Sequence, residues 1–364
     1  MVKAVLGDME KNGVFEAFDM RKNRCAQMIR FCQVILLVAM IVFCASARAE
    51  DRLSQGFSDA LARLGDSKAA HAPTATASDC GERKAYLATG LANSSDADSI
   101  LRKAGASAVR MVILGENHRN RPIDLYVSSL EMLKSVDPAL DCLFLEMYGM
   151  EQPLIDDYIS SRTTFEQTRA AVRKNEEKGR SSSFRGDEQP LFDAAKRLGL
   201  RVIAADVNVH TPAQMDKDPS LIVKSIKIRN PFMADRIADA FSGGRCHKGA
   251  MILGKSHVMP LVTDRSERGR WPSVLELVRT HGLKTFAIDV IHRKGIEPKY
   301  GDALAPKSCS WNLWERLPAG SAPRGFTPSS PSPAIEPIFN AHDASFSWDG
   351  APLWEQYDGV ILKP

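Results

Sequence analysis

Two short stretches of this chain place a histidine just beyond an apolar run that a glycine has stopped. The first is Met111-Val112-Ile113-Leu114-Gly115-Glu116-Asn117-His118, and the second is Ala250-Met251-Ile252-Leu253-Gly254-Lys255-Ser256-His257. In an open α/β sheet, polar groups at the carboxyl ends of strands line the ligand crevice. Two strands that each finish in Gly-x-x-His would aim two imidazoles into one cleft. A third apolar run, Leu143-Phe144-Leu145, ends in Glu146, with Tyr148 two residues on. A fourth, Arg201 to Ala205, is followed by Asp206 and Asn208, and Arg229-Asn230 stands just before Pro231.

That set suits three chemistries. His118, Glu146 and His257 could hold a divalent metal (manganese, cobalt or zinc) with an open position for water. A carboxylate-oriented histidine could instead activate water without metal, Glu116 and Glu146 orienting it. In both cases Arg229 would stabilise developing negative charge. The third use is haem iron ligation by a histidine or by Tyr148. Ser256 lies beside His257, but no Gly-x-Ser-x-Gly elbow accompanies it, which counts against a serine hydrolase.

The elements that must position these residues alternate. The spacing predicts helices over Asp96–Ala104, Pro122–Val136, Gln152–Ile159, Phe165–Lys178, Pro190–Leu198, Leu221–Ile228, Pro231–Phe241 and Ser273–Thr280. Strands are expected at Val109–Leu114, Leu143–Leu145, Arg201–Ala205, Ala250–Leu253 and Lys284–Val290. The fold class is therefore α/β, a mostly parallel central sheet flanked by helices. Pro231 is read as breaking one helix and starting another, with Asn230 its cap and Arg229 at a helix amino terminus. Gly179 to Gly186 is read as a basic surface loop or a substrate lid. Beyond Gly295 the chain turns irregular and rich in proline. Pro318–Pro337 reads as a long loop, and Tyr357–Leu362 as a final strand returning to the sheet.

The first 49 of 364 residues read as a secretory signal peptide, with Arg21, Lys22, Arg24 and Arg30 before the apolar Val34–Val42 and Ala47-Arg48-Ala49 at the cut. That apolar run is shorter than the roughly 20 residues of a spanning helix. No stable membrane anchor is expected after cleavage. Residues 50–79 read as a peripheral linker, and 80–364 as one domain with a loop insertion at about 296–350. The leader takes seven Lys+Arg and four Asp+Glu from totals of 48 and 44, leaving a charge near +1. Nothing in that balance points to nucleic acid. An exported, periplasmic or extracellular chain suits disulfides, and four cysteines remain beyond the leader. Cys142–Cys246 is the favoured pair, since both stand at the amino-terminal starts of strands, with Cys80–Cys309 tying the flanks. Four buried thiols are the alternative. No Cys-x-x-Cys spacing suggests a structural zinc.

The residues also carry a resemblance. Leu-Gly-Glu-Asn-His at 114–118, Phe-Leu-Glu-Met-Tyr-Gly-Met-Glu-Gln at 144–152, Arg-Asn-Pro-Phe-Met-Ala-Asp-Arg-Ile at 229–237 and Leu-Gly-Lys-Ser-His-Val at 253–258 form a set. In these segments the chain resembles the superfamily that joins ChaN-type haem-binding lipoproteins, Tiki/TraB proteins and erythromycin esterases. The resemblance covers roughly Val109 to Val290 and implies that Glu116, His118, Glu146, Arg229 and His257 share one pocket. It implies either metal-dependent peptide or ester hydrolysis or haem binding, so the partner would be a small molecule, a peptide or haem. Lys255 departs from the pattern, placing a cation beside the site, and the tail beyond Gly295 has no counterpart in the compact haem binders. An exported amide or ester hydrolase is the leading expectation, and a ChaN-like haem or iron binder the rival.

Overall fold

The computed structural model describes residues 89–116, 121–177, 182–209, 214, 220–258, 261–263, 270–292, 320–328, 346–348 and 357–364. The expected leader and linker, His118, Cys80 and Cys309 lie outside the described residues.

Five near-continuous apolar runs make the strands of the centre: β2 (Met111–Glu116), β3 (Leu140–Tyr148), β4 (Arg201–Asp206), β5 (Lys248–Gly254) and β8 (Thr285–His292). Such runs suit a parallel sheet buried on both faces. With β1 (Ser95–Asp96), β9 (Arg324–Phe326) and β11 (Gly359–Lys363) they form eight strands in the order β1-β9-β11-β8-β2-β5-β3-β4. The pairs from β11 to β4 are all parallel, while β9 runs antiparallel to both β11 and β1. β6 (Leu261–Thr263), β7 (Arg270–Trp271) and β10 (Phe346–Trp348) make a small antiparallel sheet.

Alternation along β2 sorts the core into two layers. Met111 and Ile113 face one side, with Met233, Ile237 and Phe241 of α6 (Ser220–Ser242) and Val274, Leu275 and Val278 of α8 (Val274–Thr280). Val112 and Leu114 face the other. There they meet α1 (Ala97–Ala106), α2 (Ile123–Val136), α3 (Gln152–Ile159) and α5 (Gln189–Arg197) through Ile100, Leu130, Ile155 and Phe192. α4 (Phe165–Glu177) adds Phe165, which meets Tyr158 edge-on at 5.7 Å. Ser273 caps α8 in a reciprocal pair with Glu276. Gly199, past the end of α5, has φ +66°, a conformation that favours glycine. Among the described residues no helix is long and apolar enough to cross a membrane.

The mostly parallel α/β layout and the returning final strand match expectation. Three local readings change. Pro231 does not divide a helix: α6 is one 23-residue helix with the proline inside. The proline forfeits one backbone bond, but packing of Ile226 before it and Met233, Ala234 and Ile237 after it holds both halves in one line. β3 is longer than Leu143–Leu145, and its register with β4 shifts between Leu145 and Tyr148, an irregularity of the kind that re-aims a side chain. Within the expected loop Pro318–Pro337, Arg324–Phe326 forms β9 and pairs with the returning β11.

Cys142 and Cys246 are bonded, with Cα atoms 5.8 Å apart, as favoured from their strand-start positions. The bond ties β3 to the approach to β5 at the amino-terminal edge of the sheet, opposite the edge described next.

Candidate active site at the carboxyl edge

β5 lies between β2 and β3 although it comes after both in sequence, so the chain reverses direction there. Ligands in open α/β sheets bind outside the carboxyl ends of strands at such a point. Glu116 ends β2, and its register partner on β5 is Gly254. On the far side of β5, Glu146 accepts a hydrogen bond from that same Gly254 N–H through Oε2 at 2.9 Å.

Arg229 reaches this edge from the middle of α6, not from a helix amino terminus. Its Nη2 donates to Glu146 Oε1 at 2.5 Å and to Asp206 Oδ2 at 2.6 Å, and its Nε donates to Asp206 Oδ1 at 3.0 Å. Burial alone would lower the guanidinium's pKa, but Glu146 and Asp206 outweigh burial and hold it above its ordinary value. Asn230, expected as a cap, instead donates from Nδ2 to Pro272 O at 2.9 Å. That bond turns Asn230 Oδ1 toward His257 Nδ1, 2.5 Å away. A carbonyl oxygen only accepts, so Nδ1 carries the hydrogen. Nε2 of the same ring lies 3.2 Å from Glu146 Oε1, so the imidazole stands between Asn230 and the carboxylate.

His257 therefore differs from the expectation of an imidazole aimed into a cleft. It sits on the short α7 (Lys255–Val258), only 1% exposed, and braces Glu146 from behind. Of the expected metal set of His118, Glu146 and His257, His118 lies outside the described residues. The cation opposite Glu146 and Asp206 is Arg229, and both His257 nitrogens are engaged. Among the described residues no group of three or more His, Cys, Asp or Glu could hold a metal ion. Tyr148, the candidate haem ligand, is half-buried, with its backbone N–H donating to Ser183 Oγ at 2.7 Å. Burial pushes its phenol up, Arg229 offsetting only part, which works against the phenolate form that binds iron. Ser182 and Ser183 anchor on Glu151, and the Phe184 ring packs on Phe165 and Phe192. The described part of the serine-rich stretch is thus pinned to the fold.

Glu116, as expected, stands at this edge, but in a second ion cluster that the sequence reading missed. Arg121 Nε donates to Glu116 Oε2 at 2.8 Å and Nη1 to Glu188 Oε1 at 2.9 Å. Burial pushes the Glu188 carboxyl up to about 7, against the opposing pull of Arg121. Lys255 and Asp289 form a third pair, Nζ to Oδ1 at 2.5 Å. Signals for these existed: Arg121 directly precedes Pro122, Glu188 stands two before Pro190, and Asp289 interrupts the apolar run Phe286–Val290. Two concavities, of about 530 and 610 Å³, lie elsewhere: one beside Ile100, Lys103 and Phe326, the other over Asp141, Lys196, Arg201 and Arg245.

No family model matches the chain, and no curated protein matches it. Among solved structures it is similar to the type III effector HopBA1, at 15% identity and TM-score 0.37 over 72% of this chain and 91% of that one. It is also similar to RRSP, a MARTX toxin effector domain from Vibrio vulnificus, at 20% identity and TM-score 0.38 over 56% and 37% of the two chains. The C-terminal region of Pasteurella multocida toxin, described with a thiol-protease-like catalytic triad, matches at 12% identity and TM-score 0.41 over 66% and 30%. The chain spans 38% and 46% of the length of two further bacterial protein toxins. No residue role is carried across from any of these.

Proposed function

We propose that the chain is an exported hydrolase of an ester or amide bond, working at the carboxyl edge of the sheet. The observation that carries this reading is Arg229 held across Glu146 and Asp206 while Nη1 takes no part in those bonds. A guanidinium fixed in this way is a preorganised donor for the oxyanion that forms when water adds to a carbonyl. Glu146, oriented by the Gly254 N–H and His257, is the base that takes the proton from that water. The proton then passes to the leaving oxygen or nitrogen as the tetrahedral adduct collapses. His257 and Asn230 are positioning residues in this scheme, since they act through Glu146 and do not touch substrate. The bonded Cys142–Cys246 supports an oxidising, exported setting.

The test is turnover of a panel of chromogenic esters and peptide amides by the purified chain, alongside a haem titration read at the Soret band. Expected are hydrolysis that Arg229→Ala abolishes and no stoichiometric haem uptake. Tight haem binding lost in Tyr148→Phe, with no turnover of any panel member, would replace this reading with that of a haem binder.

A further inference from the structure

The turn Gly149–Glu151 after β3 carries a buried carboxylate that the hydrolytic scheme does not use. Glu151 is 5% exposed, and three hydrogen bonds reach it from the segment 182–188. Ser182 Oγ bonds Oε1, the Ser183 N–H donates to the same oxygen at 3.2 Å, and Ser183 Oγ bonds Oε2. A carboxylate only accepts, so both hydroxyls donate to it and keep their lone pairs for other donors. Those lone pairs take backbone N–H groups: Ser183 Oγ that of Tyr148 at 2.7 Å, and Ser182 Oγ that of Phe184 at 3.0 Å. One carboxylate thus orders two hydroxyls and, through Ser183, the last residue of β3.

The other end of the segment is tied to β2. The Arg185 N–H donates to Glu188 Oε2 at 2.9 Å, and Arg121 joins Glu188 to Glu116, the last residue of β2. Nη1 of the same arginine lies 3.5 Å from Asp187. Because β5 stands between β3 and β2, the ends of those two strands are about 10 Å apart, two strand spacings. Five residue steps from Ser183 to Glu188 reach up to about 17 Å, so the segment spans that gap with slack. The Phe184 ring lies 5.5 and 5.7 Å from those of Phe165 and Phe192, in the layer of α2 and α5. Arg229 comes from α6, which packs in the opposite layer through Met233 and Ile237. The carboxyl edge therefore lies between Arg229 on one side and this segment on the other.

We propose that Glu151 is a positioning residue that latches residues 182–188 as a strap along the mouth of the cleft, and that the strap limits the bulk of the acyl group that reaches Arg229. The acyl group rests on the hydrolase reading; the latch is measured without turnover. Amide hydrogen exchange of the purified chain, read by mass spectrometry with electron-transfer fragmentation, tests it at the Tyr148 N–H. Glu151→Ala should speed that exchange by at least about tenfold, as loss of a charged hydrogen bond does, while the Met251 and Ile252 amides of β5 keep their wild-type rates. Glu151→Gln, which keeps one acceptor, should have a smaller effect. Ser182→Ala replaces Glu151→Ala if the latter loses its native circular dichroism. Unchanged Tyr148 exchange in a folded variant overturns the latch, and so does a rise shared equally by β5, which marks a general loss of stability.

Paired benzoyl and acetyl esters of one chromogenic alcohol then read selectivity, and Glu151→Ala should raise the benzoyl-to-acetyl ratio of kcat/KM by a similar factor. Faster Tyr148 exchange with no turnover by the wild type keeps the latch and removes both the hydrolase and the selectivity assigned to the strap. Turnover whose benzoyl-to-acetyl ratio stays put in Glu151→Ala keeps the hydrolase and overturns the strap as a wall of the cleft.

Discussion

Replacing Arg229 with alanine should be among the most damaging single changes at this edge, for a reason separate from catalysis. The guanidinium is the positive charge bonded to both Glu146 and Asp206, whose side chains are 7% and 1% exposed. Removing it leaves two carboxylates close together and away from water. Breaking a buried ion pair by deleting one partner costs about 3–5 kcal/mol, against about 0–1 kcal/mol for an exposed pair. Arg229→Ala should therefore lose about 3–5 kcal/mol at neutral pH, measured from the urea midpoint and slope with circular dichroism as the readout. Arg229→Lys should fall between, because an ammonium cannot bond two carboxylates through a planar fork. Adding Asp206→Asn and Glu146→Gln to Arg229→Met should recover much of the loss, since an uncharged cluster has nothing left uncompensated. A loss below about 1 kcal/mol for Arg229→Ala would mean that water reaches the cluster, and the preorganisation argued for Arg229 would fail with it.

Three further outcomes follow from the same geometry. Glu188 titrates near 7 in the fold against its ordinary 4.5, so its contribution is fully present below pH 4.5 and declines by about 3 kcal/mol as pH rises to 7 and beyond. Glu188→Gln should remove that decline, and urea midpoints of both proteins from pH 4 to 8 that run parallel would contradict it. Reducing Cys142–Cys246, which spans 104 residues, should cost about 4.7 kcal/mol on the chain-entropy estimate, seen as a lower denaturation midpoint in dithiothreitol than without it. An unchanged midpoint would show that the bond constrains little. Gly249→Ala places a Cβ 2.7 Å from Phe144 Cε2 and should cost about 1–3 kcal/mol, whereas Gly115→Ala meets only contacts of 3.4–3.5 Å and should be tolerated. Equal melting losses for the two would refute the packing described around Phe144.

The parts of this molecule that were legible in the sequence are those where one local signal dominates. Short apolar runs such as Met251-Ile252-Leu253, stopped at once by a glycine, read as buried strands, and charges directly beyond them mark the carboxyl edge. Glu116, Glu146 and Asp206 were found that way, and the Cys142–Cys246 bond followed from two strand starts. What escaped depends on tertiary packing. Pro231 is a helix breaker by local rule, yet α6 continues through it because both flanks are buried in one layer. Reading a break there made Asn230 a cap, when its amide spans to Pro272 and His257, 42 and 27 residues away. Glu188 sits far from Glu116 in sequence, and only the docking of α5 beside α2 brings them to one arginine. The sequence points the His257 imidazole into the cleft, whereas its ring lies between Asn230 and Glu146, because strand-end position does not fix which way the following turn points.

The proton-taking role of Glu146 is open to one direct measurement: kcat/KM of Glu146→Gln against wild type, on the best ester or amide from the panel. The glutamine keeps the shape and one acceptor, which serves either Arg229 or the Gly254 N–H, and cannot act as a base. A general base contributes about 10²- to 10⁴-fold, so a loss of that size in a variant with native circular dichroism is the expected result. A folded Glu146→Gln that turns over at the wild-type rate would contradict the assignment of this edge as the hydrolytic site.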